Sequence, residues 1–365
     1  MASACVSSRL SLRRSRHLAQ GVTLVELLVA MTLSLVVIAA ASSVYIISGQ
    51  SFTTMDSSSQ SQDSARFATY ILRRMVQQSG YEDYSPYARD QGRSQSVGAY
   101  SAGTPTCVQS DICGFDNLVV PVAAVTSGGA GTTGTLAAGP FYTDTLVVQF
   151  QGQSVLSTAT GEPTATADGS MIDCGGNGVT SSTVVPPSRA MSSMYVAINS
   201  ITKEPELYCS SRDPATGADR PAWGLVKGVE VFQVMYEIGN DSDTTTNPTT
   251  GLMSHDGIPD HFRWVRADQV VGLASTIFNP SSGKVPDVVN AWQNVVAVRF
   301  GLVIRGDLNT APKPASAVTL YPLGQKLADA SNPATTYVPP VDTRLRRVVT
   351  FTVHIRNKQN AFFSI

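Results

Sequence analysis

Gly21-Val22-Thr23-Leu24-Val25-Glu26-Leu27-Leu28-Val29-Ala30-Met31 opens a run that stays apolar through Ile47. Before it lie Arg9, Arg13, Arg14 and Arg16 and no acid; after it the chain turns polar. Roughly 20 helical residues at 1.5 Å each reach the ~30 Å thickness of a bilayer core, so the run predicts a membrane-spanning helix. Arginines ahead of it and few basic residues just behind it place the N-terminus in the cytoplasm and the rest outside. Inside the run stands one charge, Glu26. A carboxylate at hydrocarbon depth is costly unless it is paired, which makes it a functional residue by default. A cut after Gly21 would give Val22 a free amine one helical turn before Glu26, and so create the missing partner.

Gly21, Thr23, Leu24 and Glu26 fall where the class III signal of type IV prepilins has its glycine, threonine, leucine and glutamate, and the stretch resembles that signal. The resemblance implies that a leader, 1–21, is removed by a prepilin peptidase after Gly21, and that the new terminus at Val22 is N-methylated. That family usually has Phe at the first mature position, where this chain has Val22. It also implies that Glu26 sets register during assembly. An ordinary secretory signal is the competing reading, with Ala39-Ala40-Ala41 as its cleavage site. Against it stand the acid inside the apolar run and the continuation through Val44, Tyr45, Ile46 and Ile47. A plain membrane anchor differs only in processing.

Working outward, we read 22–48 as the transmembrane or filament-core helix and 49–80 as its amphipathic continuation, with 81–365 an exported globular β-rich domain. Phe52 and Met55 share a face, and Ala68, Ile71, Leu72, Met75 and Val76 recur at helical spacing. Gly80 is the expected stop. Residues 81–116 read as loop. Strands are expected at Asn117–Val125, bent by Pro121, and at Asp144–Phe150. Residues 151–190 read as mostly loop, and Met194–Asn199 with Glu206–Cys209 as a hairpin. Leu225–Ile238 reads as one long strand with a bulge near Phe232. Val296–Ile304 and Val349–Ile355 alternate like half-buried antiparallel strands, with a Pro-rich surface loop, Asp307–Val341, between them. One long helix with one antiparallel sheet gives an α+β fold.

Gly228-Val229-Glu230, Trp292-Gln293-Asn294-Val295-Val296-Ala297-Val298-Arg299, Arg344-Leu345-Arg346-Arg347 and Ile355-Arg356-Asn357 look like the C-terminal blocks of the PilW family of type IV pilus assembly proteins. That resemblance implies a pilin-like fold, a long N-terminal helix packed on an antiparallel β-sheet domain with long loops. It implies a minor pilin that initiates, primes or caps a pilus. The implied partners are other minor pilins and the major pilin, the inner-membrane assembly platform, the prepilin peptidase/methyltransferase and membrane lipid. J-type pseudopilins of type II secretion share the plan and are the nearest alternative. A membrane-anchored exported enzyme, binding protein or adhesin is the alternative from another class, and it predicts a convergent polar pocket and indifference to Glu26.

The 365 residues hold 26 basic and 27 acidic side chains, and without the four leader arginines the count is 22 against 27. A mildly acidic chain is a poor non-specific binder of nucleic acid, and no specific nucleic-acid partner is expected. The arginines at 344, 346 and 347 form the one local basic strip, which reads as an exposed strand end. Beyond the leader, Cys107, Cys113, Cys174 and Cys209 make an even number in an exported domain, so disulfides are expected. Three connectivities are open. Cys107–Cys113 as a small staple and Cys174–Cys209 as a longer clamp are the favoured pairs. Zinc is disfavoured, since no CxxC occurs and the histidines are distant. Asp241, Asp243, Asp256 and Asp260, with His255 and His261 nearby, are weak calcium ligands without EF-hand spacing, and read better as a solvated loop. His354 reads as a solvated histidine on a strand's exposed face. No GxSxG, HExxH, phosphate loop or dinucleotide fingerprint occurs. The chain reads as a non-enzyme without a cofactor.

N-terminal sequencing tests the processing. The mature chain is expected to begin at Val22, and Gly21→Val to block maturation. A terminus near Ser42 instead would mean a secretory signal peptidase.

Overall fold

The computed structural model describes residues 23–81, 111–115, 143–181, 189–212, 219–240, 261–270, 292, 295–312, 316–328 and 335–357. The chain divides into two compact units, Met1–Phe52 and Thr53–Ile365. One helix, α1 (Leu24–Gln78), contributes to both.

In the first unit every described residue is exposed, and this part of α1 is long and apolar enough to cross a membrane. Four of its hydroxyls are satisfied within the helix. Thr32, Ser34, Ser42 and Ser43 donate to the carbonyls of Val29, Met31, Ile38 and Ala40 at 2.9, 2.9, 2.8 and 2.8 Å. Such back-bonding satisfies these four donors without water, which suits an apolar surround.

In the second unit α1 buries Ser57, Ser61, Ala65, Ala68, Leu72, Met75, Val76 and Gln78, spaced mostly by three or four. The apolar stripe expected from Ala68 onward is there. Its earlier part is built from serines, whose small side chains let the helix approach closely but read as solvated in the sequence. Phe52 and Met55 stay exposed. The helix stops at Gly80, whose φ of 69° suits a residue without Cβ. The end is stitched down. The Gly80 amide donates to Gln149 O at 2.9 Å, Ser79 Oγ to Asp111 O at 2.8 Å, and Asn357 Nδ2 to Ser79 O at 2.8 Å.

Eleven strands follow among the described residues: β1 (Ile112–Phe115), β2 (Thr145–Phe150), β3 (Ser154–Leu156), β4 (Pro163–Ala167), β5 (Ala190–Ile198), β6 (Pro205–Arg212), β7 (Trp223–Lys227), β8 (Val229–Asn240), β9 (His261–Val265), β10 (Val295–Arg305) and β11 (Arg346–His354). They form a five-stranded sheet ordered β1-β2-β5-β6-β7, a four-stranded sheet ordered β11-β10-β8-β9, and a β3-β4 ribbon. All described pairings are antiparallel. The fold is α+β, as expected, but with two main sheets instead of one. The expected loops at 81–116 and 151–190 contain β1 and the β3-β4 ribbon. Asn117–Val125 lies outside the described residues.

The long strand expected at Leu225–Ile238 is two strands in different sheets. Gly228, with φ 75°, separates them. A Cβ there would stand 2.4 Å from Arg305 O, so a side chain is excluded by space as well as by backbone. The bulge expected near Phe232 is at Glu230. Val303 opposes Val231 and Ile304 opposes Val229, which leaves Glu230 as the extra residue.

Both sheets share one core with the α1 stripe. Phe300 stacks on Phe351 and Phe232 at centroid distances of 5.0 and 6.0 Å, and Trp292 meets Tyr236 edge-on at 4.9 Å. β10 was expected to be half-buried, yet Ala297 and Val303 are as buried as Val298, Phe300 and Leu302. The Pro-rich connection supplies the second cover, so Asp307–Val341 is not merely a surface loop. Leu323 is buried, Arg299 Nε donates to its carbonyl at 3.1 Å, and Thr350 Oγ1 donates to Pro322 O at 2.6 Å.

Leu72 is fully buried while Phe67, on the same helix, is 47% exposed. Leu72→Ala is expected to cost roughly 2–5 kcal/mol, through lost transfer energy and a cavity, and Phe67→Ala less than about 1 kcal/mol. Urea unfolding of the detergent-solubilised chain measures both.

Candidate assembly segment and charge cluster

Two arrangements concentrate chemistry in this chain. The first is the start of α1. Gly21 and Val22, the expected cleavage pair, lie outside the described residues. Thr23 begins the helix as its cap. Its carbonyl accepts from Leu27 N at 3.1 Å and its hydroxyl from Glu26 N at 3.3 Å. A hydroxyl that satisfies a first-turn amide is what a helix start needs. Glu26 stands in that first turn, exposed, where the positive end of the helix dipole favours a carboxylate. The next charge is Asp56.

The second is a closed set of charges where β8, β10 and β11 converge. The Glu230 bulge aims a carboxylate of zero exposure at two arginines. Arg305 Nη1 lies 3.0 Å from Oε1, and Arg346 Nε 2.8 Å from Oε2. The Tyr337 hydroxyl donates to Oε2 at 3.1 Å. Arg305 also reaches Glu204, as does Arg344 Nη2 at 3.1 Å, and Arg346 Nη1 grips Asp342 at 2.6 Å. Arg344 Nη1 donates to Gly306 O at 3.0 Å. Three carboxylates thus face three guanidinium groups.

Their ionisation follows from that pairing. Burial works against the Glu204 charge, but Arg305 and Arg344 outweigh it and hold its pKa below the ordinary carboxylate value. The Arg346 hydrogen bonds do the same for Asp342 against a smaller cost of burial. Burial, then the Glu230 charge, pushes the Tyr337 hydroxyl up. Burial opposes the charge of Arg305 and Arg346, yet their carboxylates raise both pKa values further. The set pairs three carboxylates with three guanidinium groups. It ties strand ends together.

This corrects the basic strip expected at 344–347. Arg344 and Arg346 are largely buried in ion pairs, and Arg347 alone of the three is exposed. Glu204, Arg305, Tyr337 and Asp342 join the cluster without any signal of their own in the sequence. The available signal was an acid, Glu230, inside an apolar strand.

Cys174 and Cys209 form a disulfide with their Cα atoms 5.8 Å apart, as favoured. It joins the 171–178 loop to β6. Asp173 organises that loop, accepting from Gly175 N at 2.9 Å, Asn177 N at 2.8 Å, Ser211 Oγ at 2.8 Å and Arg220 Nη1 at 2.6 Å. Cys113 is also disulfide-bonded, and Cys107 lies outside the described residues. So do Asp241, Asp243, Asp256, Asp260 and His255. His261 opens β9 instead of lying in a loop, and His354 is exposed on β11. Among the described residues no group of three or more His, Cys, Asp or Glu is placed to hold a metal ion.

Two family profiles match the chain. The type IV pilus-assembly protein W profile, PilW, covers residues 194–357, and the prokaryotic N-terminal methylation motif covers residues 16–42. None of the curated proteins matches. Among solved structures, a type IV-like pilin from Thermus thermophilus is similar at 16% identity, over 59% of this chain and 78% of that one, with a TM-score of 0.26. That likeness is too slight to give any residue a role.

Glu204 and Asp342 have folded pKa values below their unfolded ones, so each stabilises the fold above its unfolded pKa of about 4. That stabilisation is lost as pH falls through the depressed folded values. The melting temperature is expected to hold down to about pH 5 and to drop below about pH 4. In Glu204→Gln the gap from the parent should narrow over that fall. Thermal melts against pH measure it, and a gap that is constant with pH would contradict the assignment.

Proposed function

We propose that this chain, a PilW-type protein with a prepilin methylation motif ahead of its PilW domain, is a minor pilin that takes part in initiating, priming or capping type IV pilus assembly. The observation that carries the reading is the first unit. An exposed apolar helix holds one charge, Glu26, in its capped first turn, and no other before Asp56.

Prepilin peptidase cuts after Gly21, and the amine of Val22 becomes the methylation site. The helix then anchors the protein in the inner membrane, with the N-terminus cytoplasmic and the domain from Thr53 onward periplasmic. Before assembly Glu26 meets its own chain's amine, and that pairing makes its place in lipid tolerable. On assembly the helix moves into the filament core, beside the helices of other minor pilins and the major pilin. There Glu26 pairs with a neighbour's amine. In a dry apolar bundle every other axial register leaves that carboxylate unpaired, so the pair selects one register. The protein's own chemistry is limited to being cut and modified.

Glu26→Gln keeps shape and hydrogen bonding but removes the charge, and Glu26→Leu removes both. Both variants are expected to insert, to be cleaved after Gly21 and to keep a stable exported domain, yet to give fewer pili. Pili per cell at matched amounts of processed protein is the measurement. Parental piliation in both variants would end the register role and favour an anchored binding protein or enzyme.

A further inference from the structure

We propose that the groove between α1 and the outer edge of β11 accepts an extended, acid-bearing strand from a different subunit of the pilus, which adds to the sheet at β11. This rests on the reading of the chain as a pilus subunit.

β11 is an edge strand. It pairs with β10 from Arg346 to His354, and among the described residues no backbone hydrogen bond reaches its other side. An edge of nine residues with free amides and carbonyls is a template for another strand unless it is covered or guarded. Here it forms one wall of an open groove of about 540 Å³. Arg66, Thr69, Tyr70 and Arg73 of α1 form the other wall, and Arg347 through Thr350 contribute the strand side.

The walls carry one sign of charge. Arg66, Arg73 and Arg347 are all exposed. The acid beside Arg66 is Asp63 at 3.9 Å, and both of those side chains are about three-quarters exposed, so water and salt screen the pair. The contrast with Arg344 and Arg346 is informative. Those neighbours are spent on Glu204, Glu230 and Asp342, whereas Arg347 is exposed and lines the groove. A lone charge on an edge strand deters indiscriminate pairing. Three arginines on facing walls do more, because they select for acid. Exposed Tyr70 and Val348 add apolar contact on the same groove. An incoming strand presents alternate residues to opposite sides. The set that faces α1 supplies carboxylates to Arg66 and Arg73 beside the Tyr70 ring, since those three share one stripe of the helix, while the backbone ladder gives the affinity common to strand addition.

The test uses the full chain in piliating cells, with Val348→p-benzoylphenylalanine as a photo-crosslinker and mass spectrometry of the adduct. The expected adduct lies in an extended segment of a different pilus subunit, with Asp or Glu within two positions. Combining Arg66→Glu, Arg73→Glu and Arg347→Glu should reduce it by about tenfold or more, while the corresponding lysine variants retain most of it. These side chains are exposed, and alkylation of Cys174 and Cys209 with and without reductant verifies that the variants fold. In cells that need the chain for piliation, absence of an adduct overturns the proposal. So does an adduct on lipid, on a second copy of this chain or on a helical segment, or an adduct indifferent to charge reversal. Those results leave the pilus-subunit reading standing. Piliation that does not change when the chain is deleted overturns both.

Discussion

A helix with one charge between its start and Asp56 does not belong in water. Nearly every large apolar side chain from Leu24 to Ile47 is exposed, and moving each out of water is worth roughly 1.5–3 kcal/mol. That sum favours lipid or other apolar helices around the first unit, and Thr32, Ser34, Ser42 and Ser43 bond back to their own helix instead of to water. Everything after Phe52 has to fold while tethered to such a segment. The same helix therefore changes solvent logic along its length. Beyond Thr53 it buries one narrow stripe, first serine and alanine, then leucine, methionine and valine, and leaves Arg66, Phe67, Tyr70 and Arg73 outside.

The second unit joins its two main sheets at places where ordinary strand geometry is interrupted. Gly228 lets the chain leave one sheet as β7 and enter the other as β8 with a single residue between them. Its amide donates to Pro205 O and its carbonyl accepts from Arg305 N, both at 2.8 Å, so the corner is bonded to each sheet. Asp144 makes a second join. Its amide donates to Phe232 O and its carboxylate accepts from Val234 N, both at 2.7 Å, along the part of β8 that β9 does not cover. The PilW match, 194–357, begins within β5 and runs past β11. The Gly228 corner and the charge cluster both fall inside it.

The sequence was most legible where one physical demand acted alone. The apolar run, the Gly80 stop, the Leu72 stripe and the β11 alternation each answer a single burial requirement. It was least legible where two demands met. Leu225–Ile238 carries apolar residues on both sides of Gly228, Leu225 and Val226 in β7 and Val229 to Ile238 in β8, so hydropathy cannot show that the two parts belong to different sheets. Only Gly228 marked the break, and glycine also suits a bulge. β10 looked half-buried because its second cover, the segment around Leu323, is Pro-rich and lacks any period. Arg344 and Arg346 looked like a surface strip because their carboxylates come from Glu204, Glu230 and Asp342, 140, 116 and four residues away. Pairing over such separations leaves no local pattern.

Glu230 and Glu26 are the same residue type in the same kind of surround, and the difference between them is instructive. A buried ion cluster adds little stability over well-packed apolar groups, but losing one partner strands the other charges. Glu230 therefore acts on choice of structure. A one-residue slip of β8 against β10 would turn its carboxylate to the opposite face, away from Arg305 and Arg346. The device works inside one chain because every partner it needs is folded around it. Glu26 has the amide of its own first turn bonded to Thr23, and among the described residues no cation lies within ion-pair reach of its carboxylate. A carboxylate whose partners are in the same fold specifies that fold. Among the described residues nothing plays for Glu26 the part that Arg305 and Arg346 play for Glu230.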